Sequence, residues 1–386
     1  MKFLRAPFLF NGLTTLHNKT IVVDERGFIN DICNFDEVDN LKVQFFDGAL
    51  CPGFVNTHCH LELSYLKNKI ETNTGLDVFI KKVEELRRNF DEERLQAIVD
   101  ANIEMYNNGI VAVGDICNGD STFSTKIDSK IIYYNFIEVF AFHPSRAESV
   151  FEGAKTLFKN APSPKSITPH APYSASDLLL QKINNFALLQ KSILTIHNQE
   201  SKDENLMFQN KQGKVFERLK SFGIETDFWN ATGESSLVTT IQKLPNKLPL
   251  QLVHNTFTSK ADIDFANSYN KNIYWCFCVN ANKFIENNMP NINQFITANC
   301  AITIGTDSLA SNWSLNMLDE LKCISNKFEH TKLETQINWA TLNGAKYLGF
   351  DTILGSIEIG KKPGINFISS IENEQLTKQS TVTKIV

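Results

Sequence analysis

The sequence predicts an α/β protein of the (β/α)8 kind, a TIM-type barrel, with a further β unit assembled from the two chain ends. Three observations carry that prediction. Short apolar, β-prone runs alternate with longer amphipathic segments through the middle of the chain. Eight such runs can be traced, and titratable side chains recur where they end. A doubly wound open sheet gives the same local alternation, so periodicity alone leaves both architectures open.

Residues 1–50 hold short β-prone pieces, Thr20–Val23 and Val43–Phe46 among them, separated by Asn, Asp and Gly turns. The last stretch repeats that texture in Gly355–Gly360 and Gly364–Ile368, so residues 1–50 and 355–386 are expected to build one β unit around a central region, 51–354. The central strands are expected at Ala49–Thr57, Val111–Ile116, Ile131–Val139, Ser166–His170, Ile193–His197, Leu250–His254, Ile273–Cys278 and Ala301–Thr306. Helices are expected at Val78–Phe90, Arg94–Asn107, Ala147–Leu157, Asp177–Gln190, Val215–Phe222 and Leu315–Ile324. The loops Lys67–Asp77 and Ser201–Glu234 are left to shape a pocket.

Composition narrows the partners. The charge balance, 38 Lys+Arg against 43 Asp+Glu, gives −5, and no basic block is present to follow a phosphate backbone, so no nucleic-acid partner is expected. Pro7 and Asn11 interrupt the apolar N-terminus, which argues against a signal peptide, and no window approaches the roughly 18 apolar residues that cross a bilayer. No membrane partner is expected. The 8 cysteines are scattered through apolar segments, which reads as core thiols in a reducing cytoplasm.

The polar residues at the strand ends point to chemistry. His58 and His60 are two apart on a strand, so both imidazoles face one side and can reach one ion. His197 and Asp307 close their own strands in the equivalent position, giving three nitrogens and a carboxylate, a donor set that suits zinc or another borderline divalent metal. Glu200, three residues past His197, is placed to carry protons; its bland alternative is a solvated loop acid. His254 is placed to hold or polarise a water, and His170 to hydrogen-bond substrate or to cap structure. Glu62 could meet a substrate hydroxyl or amine, or equally support His60. Trp229, Phe257 and Trp313 could stack on a flat base, with packing as their alternative. His17, His143 and His330 read as ordinary hydrogen-bonding residues.

These motifs resemble the amidohydrolase superfamily, within it the branch of cytosine, adenosine and chlorotriazine-type deaminases, along nearly the whole chain. Pro52–Leu61 is similar to the first-strand motif, Thr195–Glu200 to the fifth-strand His-x-x-Glu, Leu252–His254 to the sixth-strand His, and Gly305–Asn312 to the eighth-strand Gly-Thr-Asp. Thr168–Ser174 resembles a stretch of methylthioadenosine and S-adenosylhomocysteine deaminases, while His60–Ser64 and Gly305–Lys322 resemble aminodeoxyfutalosine deaminases.

The resemblance implies a barrel with a small composite β-sandwich domain. It makes His58, His60, His197 and Asp307 the metal ligands, and Glu200, His254 and Asp307 the catalytic groups. His170, Glu62, Trp229, Trp313 and Ser308 fall among the expected substrate contacts. One divalent metal is expected, zinc with Fe2+ as the alternative. A bridging Lys at the end of the fourth strand is missing, and Lys165 precedes that strand. The implied activity is hydrolysis of a non-peptide C–N bond, namely deamination of an aminated purine nucleoside or related heterocycle. The alternatives are a cyclic amide hydrolase, a chlorohydrolase or a non-catalytic binding barrel. Dimers are common among such proteins, which implies a homodimer. Two segments depart from the pattern: Cys278–Asn282 stands where relatives carry Cys-Pro-x-Ser-Asn, and Gly360–Asn366 lacks the usual Ala-Asp.

Overall fold

The computed structural model describes residues 1–87 and 92–386. Two parallel sheets occupy the centre. The first holds β1 (Phe54–Cys59), β2 (Ile110–Cys117), β3 (Ile132–Val139) and β4 (Lys165–Pro169), each paired with the next. The second holds β5 (Leu194–Asn198), β6 (Leu250–His254), β7 (Ile273–Phe277) and β8 (Ala301–Ile304) in the same way. Backbone hydrogen bonds join the sheets at both margins: His197 N–H donates to His170 O at 2.9 Å, and Asp307 N–H to His58 O at 3.0 Å.

Helices separate successive strands, and their buried faces explain the apolar runs. The Ala147–Asn160 helix packs on β3 and β4, and Asp177–Gln190 on β4. Strands covered on both faces are buried along their length, as β1 and β2 are at every position. Some of their side chains are polar and pair with one another. Thr57 Oγ1 donates to Ile304 O at 3.1 Å and Gln251 Nε2 to Thr303 Oγ1 at 3.0 Å, so β1, β6 and β8 are cross-linked below the strand ends.

The chain ends form two further sheets. Lys2–Arg5, Lys19–Val23, Ile29–Asn34 and Val43–Phe45 make one. The other mixes Phe8–Phe10, Thr15–Leu16 and Gly48–Pro52 from the front of the chain with Ile365–Ser369 and Val382–Lys384 from the back. Leu4, Leu9, Ile21, Leu50, Ile357 and Ile365 share one buried cluster between them.

Three expectations change. The run Ala49–Thr57 is two strands: Gly48–Pro52 pairs antiparallel with Ile365–Ser369, while Phe54–Cys59 enters the central sheet. Gly53 marks the break, because a Cβ there would meet Val111 Cγ1 at 2.3 Å and Pro363 O at 2.7 Å. Gly355–Gly360 is not a strand; it bonds irregularly, with Ile357 N–H donating to Asn11 O and Gly360 N–H to Ile29 O. The helix expected over Val78–Phe90 runs Leu76–Arg87, and Phe90 lies outside the described residues. Among the described residues no helix is long and apolar enough to cross a membrane.

Candidate active site

The C-terminal ends of β1, β5, β6 and β8 bring four histidines and two carboxylates together. His58 ends the inward face of β1 and His60 follows one turn of the pleat later, as their spacing requires. His60 Nε2 stands 3.3 Å from His197 Nε2, while Asp307 Oδ1 lies 3.5 Å from His60 Nε2 and 3.7 Å from His58 Nε2. His58, His60 and Asp307 offer ligand atoms all within 4.8 Å of one another, as do His58, His197 and His254.

The backbone is bent to achieve this. His254 has φ +74° and Asp307 φ +57°, in the left-handed region that costs a residue with a Cβ about 1 kcal/mol or more. That bend lets each side chain leave its strand end and turn inward.

Hydrogen bonds orient the rings. His197 Nδ1–H donates to His170 O at 2.8 Å, leaving Nε2 as the nitrogen that faces His60. His254 Nδ1–H donates to Asn282 Oδ1 at 2.8 Å, and its Nε2 lies 3.6 Å from Glu200 Oε1. Ser311 Oγ donates to Asp307 Oδ2 at 2.6 Å, so Oδ1 is the oxygen left for the cluster.

Burial sets the protonation states. It pushes His58 down to about 4 and holds His60, His170 and His254 below the ordinary histidine value, which keeps their lone pairs free near neutral pH. Burial alone would raise Asp307, but His58 beside it and attraction from the neighbouring rings outweigh burial and hold the carboxyl well below its usual range. At Glu200 burial outweighs the attraction of His197 and drives the carboxyl well above the ordinary glutamate value.

This donor set fits a divalent cation. Among the described residues His58 Nε2, which faces Asp307 Oδ1 at 3.7 Å, is buried without a hydrogen-bond partner, a cost of roughly 1–3 kcal/mol that a metal ligated by the cluster would relieve. Three imidazoles and one carboxylate are the donors borderline metals prefer. The cluster lies in a cavity of about 470 Å³, walled on the far side by Phe79, Phe140, Phe142 and Leu219. Arg218 ties that wall together, its Nη1 bonded to Asp77 O and its Nη2 3.1 Å from Glu84.

A model of the amidohydrolase family matches residues 49–385. The chain belongs to the amidohydrolase family. The aminodeoxyfutalosine deaminase of Nitratiruptor sp. is 26% identical, the match covering 95% of this chain and 91% of the relative. The adenosine deaminase of Helicobacter pylori is 26% identical, covering 96% and 91%. Among solved structures, the Helicobacter pylori aminofutalosine deaminase in complex with methylthio-coformycin superposes with a TM-score of 0.82 at 23% identity, covering 98% and 94%. Atrazine chlorohydrolase from Arthrobacter aurescens, complexed with zinc, has the same fold at a TM-score of 0.72 and 15% identity, covering 95% and 86%.

Within this amidohydrolase the remaining expected residues divide. His170 and Ser308 line the cavity with Glu200, His254 and Asp307. Glu62 does not line it: its carboxylate accepts from Arg87 Nη2 at 2.9 Å and from Asn118 N–H at 3.1 Å. Trp229 does not line the cavity either but packs behind its apolar wall, against Phe142, Phe208 and Phe216, and Trp313 stands half-exposed against Phe284 on a different surface cleft. Phe257 is likewise absent from the cavity lining, lying under Lys202. Lys165 Nζ donates to Ala161 O at 2.6 Å, at the opposite end of β4 from the cluster.

Sequence reasoning passed over Glu138, Asn118, Arg87 and Asn282. Glu138 ends β3 in the register that His170 continues past β4, so its place in the strand series was the available signal. Asn282 sits in the very segment noted for departing from the family pattern, and it keeps that pattern's final residue.

Proposed function

We propose that this amidohydrolase is a single-metal deaminase, removing the amino group of a purine nucleoside or related heterocycle by hydrolysis and releasing ammonia. The observation that carries the reading is the Glu200–His254 pair, 3.6 Å apart and buried beside the cluster of His58, His60, His197 and Asp307. A site that only binds has no need of a buried carboxyl held against an oriented imidazole.

His58, His60, His197 and Asp307 would hold the metal, with zinc the first choice and Fe2+ the alternative. When bound, such an ion supplies the acidity that makes water a nucleophile at neutral pH. Asp307 Oδ1, free of the Ser311 bond, accepts the proton that the attacking water loses. His254, with Nδ1–H spent on Asn282, presents Nε2 as an acceptor that keeps the water on line. Glu200, which burial makes a weaker acid, gives its proton to the ring nitrogen beside the amino-bearing carbon; a proton returned through the same carboxyl leaves with ammonia. His170, tied through Nδ1 to Ser174 Oγ at 2.9 Å, turns its other nitrogen to the base.

In this reading the two parallel sheets are halves of one closed (β/α)8 barrel, supported by the backbone bonds at both margins. Residues 51–354 then form the catalytic domain, and 1–50 with 355–386 the composite β-sandwich.

Ammonia release by zinc-loaded protein is the direct test. The panel is aminodeoxyfutalosine, methylthioadenosine, S-adenosylhomocysteine, adenosine, guanine, cytosine and aminotriazines, with His197→Ala as control. Release from a purine nucleoside, lost in the control, is the expected result. Silence across the panel in metal-replete protein refutes deamination and turns the search to cyclic amides and chlorinated rings.

A further inference from the structure

Glu138 is a buried carboxylate on the cavity wall with one oxygen hydrogen-bonded and the other without a hydrogen-bond partner among the described residues. Oε2 accepts from Asn118 Nδ2 at 3.0 Å. Asn118 is fixed in turn: its N–H donates to Glu62 Oε2 at 3.1 Å, and its Oδ1 accepts from Arg87 Nη2 at 2.9 Å. Arg87 closes the loop by donating to Glu62 Oε1 at 2.9 Å. Three residues, Arg87 from the Leu76–Arg87 helix, Glu62 from the turn after β1 and Asn118 from the turn after β2, thus hold the β3 carboxylate in a single orientation.

The free oxygen, Oε1, is buried, and His197 Nδ1 lies 3.5 Å from it. That N–H already donates to His170 O at 2.8 Å, so it does not satisfy Glu138. Burying an acceptor of this kind unpaired is costly, and the Arg87–Glu62–Asn118 arrangement preserves the cost instead of relieving it. A second cation is the first occupant to weigh, since Glu138, His170 and His197 offer ligand atoms within 4.8 Å of one another. His197 has no lone pair to spare for it: Nδ1 carries the proton given to His170 O, and Nε2 faces the His60 side. The vacant valence of Oε1 therefore calls for a hydrogen-bond donor.

We propose that Glu138 is a specificity-determining residue whose Oε1 accepts a hydrogen bond from a hydroxyl or N–H of the substrate, outside the reacting amino group. Donors on a neutral substituent, such as the sugar hydroxyls of a nucleoside, satisfy it; a carboxylate or phosphate placed there is repelled. The inference rests on the deaminase reading for the kind of molecule that fills the cavity.

The test separates binding from turnover. Affinity is measured by calorimetry on zinc-loaded Glu200→Gln protein with adenosine, its 2′-, 3′- and 5′-deoxy analogues and adenine, each with and without a second change, Glu138→Gln. Gln keeps the volume and can still accept from Asn118. A hydrogen bond to a charged group of this kind changes affinity roughly 10- to 100-fold. The expected result is a loss of that size with Glu138→Gln for the probes that carry one particular sugar hydroxyl, and less than about threefold for those that lack it. Glu138→Asp, which retracts the carboxyl by one methylene, should show the same selectivity. An equal loss for every probe, or no binding of any probe, overturns the proposal; so does loss of bound zinc in Glu138→Gln, which would make Glu138 a support for His197. The reaction is read separately from ammonia release by protein with Glu200 intact. Hydroxyl-dependent binding without ammonia leaves Glu138 assigned and refutes deamination, whereas ammonia release with uniform losses does the reverse.

Discussion

Glu200→Gln removes one proton and leaves the shape of the site unchanged, which makes it the sharpest probe of the chemistry. Glu200 is buried, lies 3.6 Å from His254 Nε2 and is absent from the ligand cluster, so the amide should leave metal binding intact. A positioned proton carrier contributes roughly 10²–10⁴-fold to rate. At about 1.36 kcal/mol per decade this corresponds to about 3–5 kcal/mol of barrier. The expected outcome is a kcat lowered by that factor, KM changed little, and zinc content equal to wild type by elemental analysis. Activity within about tenfold of wild type would remove Glu200 from proton transfer.

The same substitution has a stability signature of opposite sign. Burial raises the folded-state value of Glu200 above its ordinary 4.5, so between 4.5 and that raised value the folded protein binds more protons than the unfolded chain. The carboxyl's contribution to stability therefore falls as pH rises through that interval. Gln abolishes the slope. In metal-free protein, the Tm of Glu200→Gln minus that of wild type should grow as pH is raised from 4.5 toward neutrality. A difference that shrinks over that range would contradict the burial argument.

Three further outcomes are expected. His58→Ala or His197→Ala should lose bound metal and all turnover, and wild type should carry one metal per chain; two per chain by elemental analysis would contradict the single-metal site. Asn282→Leu strips the partner from His254 Nδ1–H, so kcat should fall while zinc content holds, with about 1–3 kcal/mol lost in chemical denaturation. Lys126 Nζ lies 2.5 Å from Asp115 Oδ2 inside the core, and Asp115 Oδ1 accepts from Leu61 N–H beside His60. Lys126→Met strands that carboxylate and should cost about 3–5 kcal/mol of stability, read as a lowered urea midpoint. A change under about 1 kcal/mol would show that the pair does not hold the His60 turn in place.

The short-range part of this protein is written in its sequence. β6 runs Leu250–His254 and one helix Asp177–Gln190, as periodicity predicts, because alternation of apolar residues and a Ser cap act over a few residues. The histidines at the strand ends were legible for the same reason. Two residues apart on a strand means one face, whatever the rest of the chain does. Gly53 shows where that reasoning stops: a continuous apolar run became two strands in different sheets because the backbone must pass between Val111 and Pro363.

What only the tertiary structure decided are the partners that lie far apart in the chain. Asn118 meets Glu138 across 20 residues, His254 meets Asn282 across 28, and Glu62 meets Asn118 across 56. No local pattern marks such pairs, since each forms only once strands and helices have packed. The same packing drew Glu62 into an ion pair with Arg87, set Trp229 behind the apolar wall of the cavity and put Trp313 on a separate cleft. Which residues gather at the strand ends follows from their kind and their place on a strand. Which residues hold them still, and which oxygen of Glu138 is left free, follows from three-dimensional packing alone.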